Sequence, residues 1–180
     1  MTDELLTRVA DAGTCGEWKM EVEDSMMQIR KAKQQDIPRI EELLYQVQKV
    51  HSDSRPDIFK AGGKKYTGEE LLQIMKDEDR PIFVAEEKGV IWGYAFCILQ
   101  KVESGSLCRV KTLYIDDLCV DESSRGKKIG MALYQFVLDY ARQIGCYNVT
   151  LNVWECNEAA KNFYAKCGLA VQKIGMEKIL

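Results

Sequence analysis

One stretch restricts what this chain can fold into more than any other: residues 113–133, LYIDDLCVDESSRGKKIGMAL. An apolar run ending at Val120 gives way to a short polar loop holding Arg125 and Gly126. An amphipathic helix follows, with Leu133, Phe136, Val137, Tyr140 and Ile144 at helical spacing and Gly145 as its stop. Strand, loop and helix start together make an anion site. The first N–H groups of a helix lack partners inside it and carry the positive end of its dipole, so they can cradle a pyrophosphate. Arg125, Lys127 and Lys128 add charge there, and Gly126 and Gly130 permit close backbone approach. The segment is neither a Walker-type phosphate loop nor a GxGxxG turn. Taken alone, it also fits an ordinary solvated helix entry.

The flanking sequence completes an α+β pattern. A first strand is expected over residues 27–32, then a helix capped by Asp36 with Pro38 in its first turn and Ile37, Ile40, Leu44 and Val47 on one face. Residues 52–66 read as a loop. Thr67 and Glu70 form a capping box for a second helix. Apolar runs over residues 81–86 and 90–99 flank Glu87-Lys88-Gly89 as a tight hairpin, and a longer strand spans 108–120. After the central helix, Tyr147, Val149, Leu151 and Val153 alternate with polar residues as a strand. Asn157 caps a last helix ending at Cys167-Gly168, and residues 169–179 are expected to return as a strand. The predicted sheet is mixed, mostly antiparallel and flanked by helices.

A chain of 180 residues, 46% apolar and 29% charged, accommodates one domain with a sizeable core. Residues 1–26 hold seven acids against two bases, a local balance of −5 within a total of −3. They read as an acidic extension able to stay disordered, ahead of a domain spanning 27–180. The near-neutral total gives no reason to expect nucleic acid or a membrane as partner, and RGKK lacks the wider basic face or aromatic platform of an RNA-binding domain. Seven cysteines without CxxC spacing read as reduced thiols, hence a cytoplasmic protein. The lone His51 has no companion ligand, so no metal is expected and a structural or solvent role suits it. The first residues lack the basic and apolar runs of a signal peptide or membrane anchor.

RGKKIG, with IDDLCV before it and NEAAKNFYAKCG after it, resembles the acetyl-CoA site of the GNAT N-acetyltransferases from about Met27 onward. The resemblance implies the GNAT acyl-CoA acyltransferase fold and direct transfer of an acetyl group from acetyl-CoA to a primary amine. By position, Arg125, Gly126, Lys127, Lys128, Ile129, Gly130 and Met131 would wrap the pyrophosphate. The backbone of Leu118, Cys119 and Val120 would pair with the pantetheine arm, and Asn157, Ala160 and Lys161 would border it. Lys128 stands where the family pattern usually has glycine. Helical dihedrals would suit a lysine there, but the departure also motivates an alternative, a non-catalytic acyl-CoA-binding module.

Tyr164 resembles the tyrosine of the family's FYxxxG motif, which implies a proton donor to the leaving thiolate. A phenol of pKa about 10 can protonate a thiolate whose acid sits near 8.5. Asp116 and Asp117 are candidates for the base that takes a proton from the amine, and as strand neighbours they face opposite ways unless a bulge intervenes. YIDDLCV and WECNEAAKNFY are also similar to segments of spermidine/spermine acetyltransferases, which favours Asp116 and a small-molecule or polyamine-like acceptor, with a lysine or peptide N-terminus the other choice. Trp154 is equally a packing residue or part of that likeness. The resemblance leaves homodimerisation open.

Overall fold

In the computed structural model, which describes residues 18–22, 25–101, 105 and 108–180, six strands form one sheet in chain order. They are β1 (Trp18–Val22), β2 (Ser25–Lys31), β3 (Ile82–Glu87), β4 (Val90–Lys101), β5 (Lys111–Val120) and β6 (Asn148–Leu151). Each neighbouring pair is antiparallel except β5 and β6, which run parallel. The helices are α1 (Ile37–Ser54), α2 (Gly68–Ile74), α3 (Ile129–Gln143) and α4 (Glu158–Lys166).

Strand alternation divides the core between the two faces of the sheet. Phe83, Ala95, Cys97, Leu113 and Ile115 lie under Leu133, Phe136 and Val137 of α3. Val84, Tyr94, Phe96 and Cys119 lie under Ile40, Leu43 and Leu44 of α1 and Leu71 and Ile74 of α2. This is why residues 82–85 read as an unbroken apolar run: both faces of β3 are buried. Local signals agree with the packing. The Glu70 amide donates to Thr67 Oγ1 at 3.3 Å, while Glu70 Oε2 accepts from the Thr67 amide at 2.7 Å. At the β3–β4 hairpin, Lys88 and Gly89 both take positive φ, 51° and 80°, matching the handed turn that strand twist demands.

Three segments differ from the sequence reading. The sheet begins before Met27, because Trp18–Val22 pairs with β2. WKMEV alternates apolar and charged residues, a pattern masked by the acid count around it. Residues 1–17 of the expected extension lie outside the described residues. Helix α1 continues to Ser54, so the loop starts later than residue 52. Residues 169–180 form no strand, although the alternation predicts one, because no strand among the described residues pairs with them.

Gly93 allows β4 and β5 to lie close. A Cβ there would stand 2.6 Å from the Cys119 carbonyl oxygen and 3.1 Å from Leu133 Cδ1. Neither the paired backbone nor the buried leucine can easily retreat. Gly93→Ala is therefore expected to lower stability by roughly 1–3 kcal/mol, the usual range for overpacking, in urea unfolding. An unchanged midpoint would mean the two strands separate at little cost.

Candidate active site

A wedge opens between β5 and β6. Their ladder runs only from Thr112↔Asn148 to Ile115↔Leu151. On its other side β5 stays paired with β4 as far as Val120. Asp116 to Val120 therefore keep one backbone edge unpaired among the described residues, and Leu118, Cys119 and Val120 lie along it. An extended ligand can add to such an edge as a strand would.

A bulge lies where the strands part. Phe96 pairs with Asp117 and Cys97 with Ile115, which leaves Asp116 as the extra residue on β5. The bulge cancels the alternation that would otherwise send the two carboxylates to opposite faces. Asp116 accepts from Tyr66 Oη at 2.9 Å and pairs with Lys65 Nζ at 2.9 Å, while Asp117 accepts from Tyr94 Oη at 3.0 Å. Tyr66 and Tyr94 both belong to the α1–α2 side. Asp116 is thus held by two donors. Burial pushes Asp117 up to about 6, with Lys65 and the Tyr94 hydroxyl opposing the rise.

Beyond Val120 the chain turns through Asp121 and a short 3-10 helix, Glu122–Ser124, into the basic loop. Asp121 fixes this entry against α1. It accepts from Arg39 Nη2 at 2.5 Å, Gln46 Nε2 at 3.0 Å and the Ser123 amide at 2.9 Å, and also from the Ser123 hydroxyl. Burial alone would raise its pKa, but these donors hold its carboxylate far below the ordinary range. Arg125, Gly126, Lys127 and Lys128 are exposed, and Ile129 anchors the first turn of α3 in the core. Lys127 Nζ lies 5.5 Å above the Trp92 ring. Ser124 Oγ and Trp92 Nε1 are buried without a hydrogen-bond partner among the described residues, which suits a loop that receives a polar ligand.

Lys128 is not helical. It caps α3 at φ 62°, ψ 8°, in the left-handed region, with Gly126 at φ 84° just before it. The expectation of an unstrained helical lysine is therefore corrected. Gly130 approaches α4 closely: a Cβ there would lie 3.4 Å from both Phe163 Cζ and Val120 Cγ2.

Helix α4 brings Tyr164 beside the wedge. Asn157 Oδ1 caps the helix by accepting from the Ala160 amide at 3.0 Å, so that oxygen is occupied by the fold. Lys161 Nζ meets Glu155 at 2.7 Å and Glu158 at 2.9 Å, which turns it toward these exposed acids. The Tyr164 ring packs edge-on against Phe163 and Tyr134, with centroids 5.0 and 6.3 Å away. Burial first, and then the nearby Asp117 carboxylate, raise its phenol well above the ordinary value. It stays protonated through the physiological range.

The structure brings the loop, the free edge, both aspartates and Tyr164, named from the family resemblance, around one opening. Sequence patterns missed Tyr66, Tyr94, Lys65, Arg39 and Asp121, which hold those parts in position across long sequence separations. Only the tyrosine in the apolar β4 run carried a signal, since a buried phenol needs a hydrogen-bond partner. Among the described residues, no group of His, Cys, Asp and Glu could hold a metal ion, and no helix is long and apolar enough to cross a membrane.

A sheet split beside a basic helix start, with helices on both faces, defines the α+β acyltransferase class of fold. The chain belongs to the acetyltransferase (GNAT) family, whose model matches residues 44–169. It is 29% identical over 99 residues to glucosamine 6-phosphate N-acetyltransferase of Arabidopsis thaliana, a match covering 47% of this chain and 64% of that protein, under two thirds of its length. A crystal structure of a mutant BH1408 protein from Bacillus halodurans is 30% identical with TM-score 0.81, covering 84% of this chain and 98% of that one. The crystal structure of the Arabidopsis glucosamine-6-phosphate enzyme is 26% identical with TM-score 0.59, covering 85% and 97%.

Lys128 yields a stability test. A non-glycine residue in the left-handed region costs on the order of 1–3 kcal/mol, against which glycine adds about 0.4–1 kcal/mol of unfolded-chain entropy. Lys128→Gly is therefore expected to raise the melting temperature, by a net gain of about 1 kcal/mol. A lower melting temperature would reveal a lysine contact that outweighs the strain.

Proposed function

We propose that the protein transfers the acetyl group of acetyl-CoA directly to the primary amine of a small acceptor. The observation that carries this reading is the convergence of the free β5 edge, the basic loop before α3, Asp117 and Tyr164 on one wedge. The backbone amides of residues 125–131 and the Arg125 side chain receive the pyrophosphate, and Leu118 to Val120 receive the pantetheine arm as an added strand. The amine nitrogen attacks the thioester carbonyl, and β5 amides that face the parted β6 stabilise the oxyanion. Asp117 takes the proton that the nitrogen sheds as the new bond forms. The carbon–sulfur bond then breaks, and Tyr164 protonates the departing thiolate.

Between the two carboxylates, Asp117 suits the base better. Asp116 is committed to Lys65 and Tyr66. At the acceptor end of the cleft Lys65 and Arg55 are each paired with acids, Lys65 with Asp116 and Arg55 with Asp57 and Glu177, and Arg55 also lies 6.0 Å from the Trp154 ring. The likeness to the Arabidopsis relative favours an amine that also carries an anionic group, as the amino sugar phosphate in that protein's name does. A thiol-release screen comparing amino sugar phosphates with polyamines, amino acids and peptide N-termini tests the assignment. Stabilisation by CoA without thiol release for any amine would point instead to a non-catalytic acyl-CoA-binding module.

Two variants test the roles. Tyr164→Phe keeps the ring, so CoA affinity should hold while kcat falls roughly 10²-fold or more; an unchanged rate would make Tyr164 a packing aromatic only. For Asp117, a carboxyl near pKa 6 is protonated below that pH and cannot accept a proton, so kcat/KM should fall as pH drops through about 6. Asp117→Asn should lower the rate and abolish that limb. The same raised pKa means that ionised Asp117 costs the fold stability at neutral pH, so the asparagine variant should melt no lower than the parent.

A further inference from the structure

Lys65 carries a primary amine of this chain to the place where the acceptor amine must stand. Its Nζ lies 2.9 Å from the Asp116 carboxylate and donates to the Asp116 carbonyl oxygen at 3.0 Å. Asp116 is the extra residue of the bulge, one position past the last pair of the β5–β6 ladder, so the amine sits beside the point where the strands part. The next residue fixes it there. The Tyr66 hydroxyl donates to Asp116 at 2.9 Å, and the Tyr66 ring stacks on Phe96 with centroids 5.6 Å apart.

The amine is positioned without being locked. Residues 55–67, which join α1 to α2, form neither helix nor strand. With 37% of its side chain exposed, Lys65 gains little stability from the ion pair and keeps the freedom of a long, flexible stem. Its charge also reaches the buried Asp117, whose carboxylate it steadies. Lys64, by contrast, pairs with Glu41 on α1 at 3.0 Å. One nucleophile of the right chemical class therefore lies within the range of both carboxylates and at the end of the free β5 edge.

We infer that Lys65 is itself an acetyl acceptor: when acetyl-CoA is bound and no small amine occupies the wedge, the chain acetylates its own Lys65 Nζ. The inference rests on the transfer reaction proposed above. The Lys65 ammonium sheds one proton to Asp116 and from there to solvent. Its neutral nitrogen attacks the thioester carbonyl carbon, the nitrogen–carbon bond forms, and Asp117 takes the second proton. The carbon–sulfur bond breaks and Tyr164 protonates the thiolate, after which the proton on Asp117 restores the phenol. The products are acetyl-lysine, the free CoA thiol and one proton in solvent. Acetylation removes the cation from Asp116, and a free acceptor that enters first protects Lys65 by taking its place.

Mass spectrometry on the intact chain tests this, with acetyl-CoA supplied and every amine acceptor and amine buffer left out. One acetyl group is expected at Lys65, gained roughly 10-fold or more faster than at the exposed Lys60 and Lys101, because a positioned nucleophile outpaces a freely colliding one. The rate per molecule should not change with protein concentration. S-acetyl-N-acetylcysteamine, a thioester without the pyrophosphate, should show no such preference, and Lys65→Arg should lose the thiol release measured without acceptor. Equal labelling of the lysines overturns the inference, as does a rate that rises with protein concentration or the same preference with the truncated thioester. Each of those results leaves acetyl transfer to added amines standing. Thiol release with neither Lys65 nor any added amine would overturn the proposed function as well.

Discussion

The bulge at Asp116 governs the middle of this molecule. One additional residue on β5 shifts its register with β4 and sharpens its local twist. The parallel ladder with β6 ends at Ile115, the residue before it. From that single irregularity follow the parted strands, the unpaired edge from Asp116 to Val120, and the placement of two adjacent carboxylates beside tyrosines of one layer. A regular β5 would have sent one aspartate into the α3 side of the core, where an unpaired charge carries a heavy desolvation penalty. The tight packing of Gly93 against Cys119 keeps the rest of the β4–β5 pair regular, so the irregularity stays local.

The loop that follows is held from the opposite layer. Arg39 and Gln46 project from α1 to Asp121, so the helix that covers one face of the sheet also sets the entry to α3, which covers the other. Such cross-layer hydrogen bonds to a buried carboxylate are stronger than neutral ones and leave little slack. The loop tolerates two departures on either side of Lys127, Gly126 and Lys128 at positive φ, because its start is fixed.

Local signals explain what the sequence made legible. The Thr67–Glu70 capping box, the apolar stripe of α3, the Lys88-Gly89 turn and the Asn157 cap each involve residues within a few positions of one another, and each forms as read. The loop and Tyr164 were legible through a family resemblance, since composition alone allowed a plain helix entry and a core aromatic. What stayed hidden depends on distant partners. Tyr66 and Asp116 are 50 residues apart, and Arg39 and Asp121 are 82. The positive φ of Lys128 was hidden for another reason: dihedrals at a helix start follow from how Asp121 and Ile129 are anchored, and the lysine itself gives no sign of it. The strand β1 was concealed by charge count, while residues 169–179 carry the alternation of a strand although no strand among the described residues pairs with them.

Burial acts on the two titrating groups of the wedge in the same direction, yet leaves them in opposite states. It raises the carboxyl of Asp117 to about 6, still deprotonated at neutral pH, and raises the phenol of Tyr164 further from any pH at which it would ionise. Each also acts on the other, because an ionised Asp117 makes a second negative charge at Tyr164 less favourable. In the proposed mechanism, one apolar environment would give an acceptor that is weak but available and a donor that is always loaded. The shared upward shift brings the carboxyl toward neutrality without crossing it and carries the phenol further above it. The cost falls on the fold, which must keep an ionised carboxylate where solvation is poor. The Tyr94 hydroxyl at 3.0 Å and the charge of Lys65 offset that penalty in part. They cannot remove it without lowering Asp117 toward an ordinary carboxylate, which would be a weaker base in the role proposed for it.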